Sequence, residues 1–274
     1  MLETLKLSKS DFYRWTKNSL GKREAHYNMI DKCIRSIYND HKGRYGSTRI
    51  AKELSFEYGL GAKRQTVSSR MKAMNLVPKG RRKFKVTTDS NHKYPVSENL
   101  LEQNFFAAQP NKKWSTDISY IRTEEGWLYL CVILDLHSRK IIGWSMDKSI
   151  RAELCCNALL MALWKRRFPK NVIVHSDRGS QYCSEKFCKL LELHSLSSSM
   201  SEKGCCYDNS PCESFFRTIK VELVHDENYQ TREEARRSIF NYIECYYNKK
   251  RRHSSINYVT PDEFEGNMKL ADFA

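Results

Sequence analysis

The 274-residue chain is 40% hydrophobic and 12% aromatic, enough to bury a core, and it holds no apolar run near the ~20 residues of a membrane span. Ten cysteines would suit disulfides or zinc, but no C-x-x-C pair occurs and MLETLKLSKSDFYRW lacks a signal peptide's apolar stretch, so free thiols in a cytoplasmic protein, without zinc, are expected. Lys and Arg outnumber Asp and Glu by 47 to 32, a net charge of +15; residues 1–95 carry 22 basic and 8 acidic side chains, and 96–274 carry 25 and 24.

The front half, with its net +14, points to a polyanion partner, although a solvated basic face has the same composition. Residues 1–77 are predicted to be helical. A short helix at DFYRW precedes one over residues 27–40 and a second over 47–57, for which Ser47 can serve as N-cap. Tyr58, Gly59, Leu60 and Gly61 form a turn, and a basic, polar helix follows over 63–74. Helix, glycine turn and helix with outward Arg64, Gln65, Ser68, Ser69 and Lys72 suit a helix-turn-helix reader of the DNA major groove. Any small helical bundle has such turns; the local charge favours the DNA reading. Residues 78–112, with Pro78, Gly80, RRKFK and Pro95, keep neither helical nor strand period and are expected to be a basic linker.

From Trp114 the pattern changes. WSTDISYIR, WLYLCVILDL and RKIIGWSM are β-rich runs separated by turns, hence an antiparallel meander. A helix over 152–167, the strand NVIVHSD, the helix SEKFCKLLEL and the short strand SLSSSMS follow, then helices over 210–224 and 232–247. Paired strands followed by alternating helices and strands define an α/β layout with a mixed sheet.

Three carboxylates stand out. Asp117 lies within an apolar–polar strand, Asp177 follows the buried strand VIVHS, and Glu213 opens the helix SPCESFFRTIKVEL with 35 residues between it and Asp177. Carboxylates from different elements suit magnesium, which prefers hard oxygen ligands. Each also has a plain alternative: Asp117 as a hydrogen-bond acceptor at a strand edge, Asp177 as a turn cap, Glu213 as position N3 of a capping box with Ser210 at N-cap and Pro211 at N1. On a helical wheel Glu213, Arg217 and Lys220 share one face and Phe215, Phe216, Ile219 and Leu223 another. Lys220 is thus placed for a DNA phosphate, although Arg217 and Lys220 could equally pair with Glu213 on the surface. Arg178 and Gln181 can position DNA or be ordinary loop residues. Arg251 and His253, in a stretch mixing aromatic and basic residues, suit DNA contact or a complement to a helix dipole.

WSTDISY, HSDRGSQY and EKGCCYDNSPCESFFRTIK closely resemble the three acidic motifs of bacterial insertion-sequence transposases of the IS-three group, which share the retroviral-integrase core. In that family two aspartates and a glutamate form a D-D-E metal site with 35 residues between the last two, and a basic residue, here Lys220, follows seven positions later. YNKKRRHSSINYVTPDEF resembles the family's C-terminal Y-N-x-x-R-x-H motif, and residues 41–77 resemble its helix-turn-helix lead-in. Ile256 stands where the family often has Leu, Cys205 and Cys206 sit in a variable stretch, and the His-His-Cys-Cys zinc set of retroviral integrases is missing.

The resemblance implies an RNase H-like mixed-sheet catalytic core with a C-terminal helical extension over 113–274, preceded by a small all-α helix-turn-helix region. It implies Mg²⁺-dependent cleavage of mobile-element ends by water, then attack of the freed 3′-hydroxyl on another phosphodiester, without a covalent enzyme intermediate. Mn²⁺ is expected to substitute, and two ions to act in the active complex. Expected partners are double-stranded DNA at element ends and target, further copies of the chain on DNA, and a first-frame product or frameshift fusion, since this chain resembles the second-frame product. No membrane is expected, and association with the nucleoid comes with DNA binding.

Overall fold

The computed structural model describes residues 8–10, 12–13, 21–80, 96–202 and 205–271, and the chain divides into two compact units, Met1–Gly80 and Arg81–Ala274. The helix expected at DFYRW lies mostly outside the described residues, as does the RRKFK run.

In the first unit, apolar residues recurring every three or four positions bring three helices together: α1 (Lys22–Asp40), α2 (Ser47–Tyr58) and α3 (Arg64–Ala73). Ile30, Ile34 and Ile37 of α1, Ile50 and Leu54 of α2, and Val67 and Met71 of α3 close on Tyr45. Gly46, not Ser47, is the N-cap of α2, and no side chain caps it. Ser47 already lies inside the helix, so the expected cap is not made. Gly59 ends α2 in the left-handed region (φ 62°), letting the Leu60 amide reach the Leu54 carbonyl at 2.9 Å. Arg70 ties α3 to α1 by donating Nε to Asp31 at 2.7 Å. Gln65, Ser69 and Lys72 lie on the face of α3 opposite Val67 and Met71, with Arg64 and Ser68 at its flank, and all five are exposed.

Of the stretch expected to link the two units, residues 81–95 lie outside the description, while Leu101 and Ala107 are buried in the core of the second unit.

The second unit is built on a five-stranded sheet in the order β3-β2-β1-β4-β5, comprising β1 (Lys113–Thr123), β2 (Gly126–Asp135), β3 (Ile141–Asp147), β4 (Ile173–Ser176) and β5 (Ser197–Met200). β1, β2 and β3 form the expected antiparallel meander; β4 joins β1 in parallel and β5 joins β4 in parallel. Alternation along β2 feeds two cores. Leu128, Leu130, Val132 and Leu134 face α6 (Ser210–Glu222) and α7 (Arg232–Phe240), while Cys131 and Ile133 face α4 (Ala152–Lys165) and α5 (Glu185–Leu193). The result is a three-layer α/β/α core, the mixed sheet expected of an RNase H-like fold. Gly143 of β3 lets α4 approach closely: a Cβ there would stand 2.3 Å from the Ala158 carbonyl oxygen.

The long helix expected over 232–247 is α-helical only to Phe240 and continues as a wider π turn over Asn241–Tyr247 that buries Tyr242, Ile243, Tyr246 and Tyr247. A last helix, α8 (Pro261–Ala271), opens with a reciprocal box in which Thr260 Oγ1 accepts the Glu263 amide (3.2 Å) and Glu263 accepts the Thr260 amide (2.9 Å).

Candidate active site

Strand register brings the first two carboxylates together. β1 pairs with β4 as Lys113 with Ile173, Trp114 with Val174 and Ser115 with His175. Asp117 stands to Lys113 as Asp177 stands to Ile173, so the same register continued sets the two aspartates side by side. Pairing stops because β4 ends at Ser176 while β1 runs on to Thr123, and the carboxyl end of a strand is where open α/β sheets present ligand-binding groups. Asp177 is held by its own loop: its Oδ1 accepts the Gly179 amide at 3.0 Å. A Cβ on Gly179 would come within 3.0 Å of that oxygen, so the turn is drawn tight around the carboxylate. Asp117 Oδ1 accepts the Ile118 amide at 2.8 Å.

Glu213 comes from α6. The buried stripe Cys212, Phe215, Phe216 and Ile219 seats this helix on the sheet and leaves Glu213 and Arg217 exposed and Lys220 half-buried, as the wheel predicts. The capping-box reading of Glu213 fails: Asn209 is the N-cap, Ser210 already has helical torsions, and no side chain caps the helix. Glu213 therefore lies one residue too far along to close a box, whereas the box at Thr260 and Glu263 has the required spacing.

Electrostatics tie the three carboxylates together. Burial first, then the neighbouring charges of Asp177 and Glu213, holds the Asp117 carboxyl well above the usual carboxylate range. Burial also raises Glu213, with Arg217 opposing and Asp177 adding to the rise. Burial lowers Lys220, and Asp117 acts against that shift. Partly desolvated like charges that resist ionising together are the donor chemistry of a divalent cation site. Among the described residues no three His, Cys, Asp or Glu side chains are gathered closely enough to hold one ion.

Sequence reading passed over Asn209, the residue that locks α6 to β1. Its side-chain amide donates to the Thr116 carbonyl at 3.0 Å and accepts from the Ser115 hydroxyl, which also reaches Cys212 Sγ at 3.3 Å. The start of the Glu213 helix is thereby fixed to the strand position just before Asp117. The signal available was an Asn, itself a strong N-cap residue, preceding Ser-Pro; the more familiar Ser cap concealed it. His175, buried between Ser199 (2.8 Å) and Ser201 (3.2 Å), braces β4 and is pushed down to about 4 by burial, with Asp208 opposing.

The remaining candidates separate. Arg178 donates Nε to the Ser201 carbonyl at 2.7 Å, and Gln181 reaches the Ile150 carbonyl at 3.4 Å. His253 is half-buried, its Nδ1 2.9 Å from the Ser255 hydroxyl. Arg251 does not fit the DNA-contact role expected of it. It is 3% exposed, donates Nη2 to Glu222 Oε1 at 2.8 Å and Nε to Oε2 at 2.9 Å, and shares that carboxylate with the Tyr242 hydroxyl at 2.8 Å. A guanidinium spent on a buried carboxylate beneath α6 cannot also reach a phosphate. The nine cysteines whose side chains are described are all free, and no described helix is long and apolar enough to cross a membrane.

Two models described as integrase core domain match residues 107–206 and 213–270, and a model described as HTH-like domain matches 27–84. With the mixed sheet and its carboxylates where β4 ends, these matches define a polynucleotidyl transferase of the DDE, integrase-core class. The transposase InsF for insertion sequence IS3A of Escherichia coli (strain K12) is 46% identical over 273 residues, covering 99% of this chain and 94% of that protein. An uncharacterized 31 kDa protein of insertion element IS600 from Shigella sonnei is 38% identical over 264 residues, covering 96% and 97%. The chain belongs to the IS3 family of insertion-sequence transposases. Among solved structures, a chain of the simian T-cell lymphotropic virus intasome has a TM-score of 0.48 at 13% identity, covering 85% of this chain and 74% of its own, a likeness too distant to weigh.

Proposed function

We propose that Asp117, Asp177 and Glu213 are the metal-binding, catalytic carboxylates of this DNA transposase. The carrying observation is the β1–β4 register, which aligns Asp117 with Asp177 where β4 ends, beside a helix that brings Glu213 within reach of both charges. Hard oxygen donors from three elements suit Mg²⁺, with Mn²⁺ able to replace it and two ions in the active complex. When bound, such ions activate an attacking oxygen and stabilise a leaving one.

The protein's own groups orient the reaction. Asp117 and Asp177, fixed by sheet register and the Gly179 turn, define where the scissile phosphate sits. Lys220 and Arg217, on the Glu213 side of α6, offer positive charge to the phosphates. Water attacks the phosphorus at the element end and the 3′ oxygen leaves as a hydroxyl. That hydroxyl then attacks a target phosphodiester in line, and the target's own 3′ oxygen leaves with the proton, so each step exchanges one P–O bond for another. Arg64, Gln65, Ser68 and Lys72 on the open face of α3 read double-stranded DNA, with Arg178, Gln181 and His253 as lesser contacts. Several copies of the chain assemble on the DNA, with a first-frame product or fusion as partner, in the cytoplasm at the nucleoid.

The test is incubation of the whole chain with Mg²⁺ and labelled element-end duplex, scored for nicking and joining. Wild type nicks and joins, whereas Asp117→Asn, Asp177→Asn and Glu213→Gln bind DNA but do neither. Joining by any of these folded variants removes that residue from the site, and nicking without joining by wild type reassigns the protein as a nuclease.

A further inference from the structure

Beyond the carboxylates, β1 and β2 carry an aromatic surface with no role in the mechanism above. Arg122 pairs with Trp127 and Tyr120 with Tyr129 across the two strands, so Tyr120 and Trp127 are diagonal neighbours on one face. Their rings meet edge to face at 5.0 Å. Trp127 is 46% exposed, and Tyr120 is half-buried. Lys220 Nζ lies over the Tyr120 ring, 5.1 Å from its centroid, and within electrostatic reach of Asp117. Lys220 and Tyr120 thus lie between the open indole of Trp127 and Asp117, which sits five residues before Trp127's partner Arg122 on β1.

The indole is mounted on a braced hairpin. Arg232 of α7 donates Nε to the Trp127 carbonyl (3.0 Å) and Nη2 to the Glu125 carbonyl (2.6 Å). The Glu125 carboxylate accepts the Arg232 amide at 2.9 Å. A single exposed tryptophan needs no explanation. One on a braced hairpin, backed by a second ring that a lysine covers, has the parts of a single-strand binding surface: a cation for the phosphate and a flat face for the base.

We propose that Trp127, backed by Tyr120, is a stacking platform for one unpaired nucleobase a few nucleotides from the scissile phosphate, with Lys220 engaging a phosphate between them. The inference rests on the reading of Asp117, Asp177 and Glu213 as the catalytic site. A base that leaves the stack costs unstacking energy, and an indole offsets part of it for any base because every base has a π face. The platform is thus indifferent to sequence.

The experiment uses the whole chain, Mg²⁺ and element-end duplexes in which single abasic sites are scanned through the nucleotides around the scissile phosphate. Trp127→Ala is expected to slow nicking about 10- to 100-fold, and Trp127→Phe to keep most of the rate. At one position, removal of the base should cost wild type a similar factor and cost Trp127→Ala nothing further. Wild-type rates for Trp127→Ala overturn the proposal. So does a Trp127→Ala defect that is the same on every abasic duplex, as a folding defect or an interface between copies would give. Wild type inert on the intact duplex, or Asp117→Asn active on it, sinks the catalytic reading itself. With those controls in order and no coupling at any position, the platform alone fails.

Discussion

Arg251 offers a sharp choice between a structural and a DNA-binding role. The Glu222 and Arg251 side chains are 6% and 4% exposed and joined at 2.8 Å. Burial acts to lower the Arg251 pKa, and the nearby Glu222 charge outweighs it, so the guanidinium stays charged. Arg251→Met would leave the Glu222 carboxylate buried with only the Tyr242 hydroxyl from this network. Breaking such a pair costs about 3–5 kcal/mol, a large part of the ~5–15 kcal/mol that holds a domain together. At roughly 2–4 °C per kcal/mol for a unit of this size, the unfolding midpoint should fall by ~6–20 °C. Replacing both partners, Arg251→Met with Glu222→Leu, should recover much of the loss, because the desolvation cost disappears with the charges. Thermal unfolding followed by circular dichroism gives the midpoints, and a salt titration of DNA binding runs beside it. An Arg251→Met protein with an unchanged midpoint and a salt slope shallower by about 0.9 would refute the reasoning and restore Arg251 as a phosphate contact.

Asn209→Ala removes the donor to the Thr116 carbonyl and leaves the Ser115 hydroxyl only its contact with Cys212 Sγ, at a cost of ~1–3 kcal/mol; nicking should then require more Mg²⁺, while Ser210→Ala leaves metal demand unchanged. Equal Mg²⁺ titrations for the two variants would remove Asn209 from the positioning of Glu213. His175, at about 4 when folded against ~6.5 unfolded, binds more protons in the unfolded state between those values. Its contribution to stability is therefore present above ~6.5 and lost as pH falls toward ~4, by up to roughly 3 kcal/mol. Relative to wild type, His175→Gln should unfold with a flatter pH dependence in that window, and an unchanged slope argues against a buried neutral imidazole. Asp117 has the opposite sign: its raised pKa makes the metal-free protein lose stability as pH rises out of the ordinary carboxylate range. Asp117→Asn in chelator should thus unfold at a higher temperature than wild type at neutral pH, with the gap closing in acid; a lower midpoint would contradict the crowded-carboxylate picture. On α3, Lys72→Ala should reduce the salt slope by about 0.9 with little change in sequence preference. Gln65→Ala or Ser68→Ala should shift preference instead, and the reverse pattern in a binding-site selection would show that α3 lies differently on DNA.

The order and type of nearly every described element are legible along the chain, because helical and strand periods and glycine turns are local signals. So are the α/β class, the basic helical front and the face of α6 that points away from the core. What the sequence could not settle was which of several chemically equal side chains meet. Ser210 and Ser47 have the composition of caps, but caps depend on where the backbone turns, one residue earlier in each case. Arg251 looks like its basic neighbours until folding sets it against Glu222, 29 residues earlier in the chain. Asn209 acquires its role only from Ser115, 94 residues away. The pairing of Asp117 with Asp177 likewise waits on the parallel register of β1 and β4. Contacts of that span are decided by packing of the two cores about the sheet, because desolvation makes burial costly for any charge or amide that lacks a partner there, and only the tertiary structure says which ones have one.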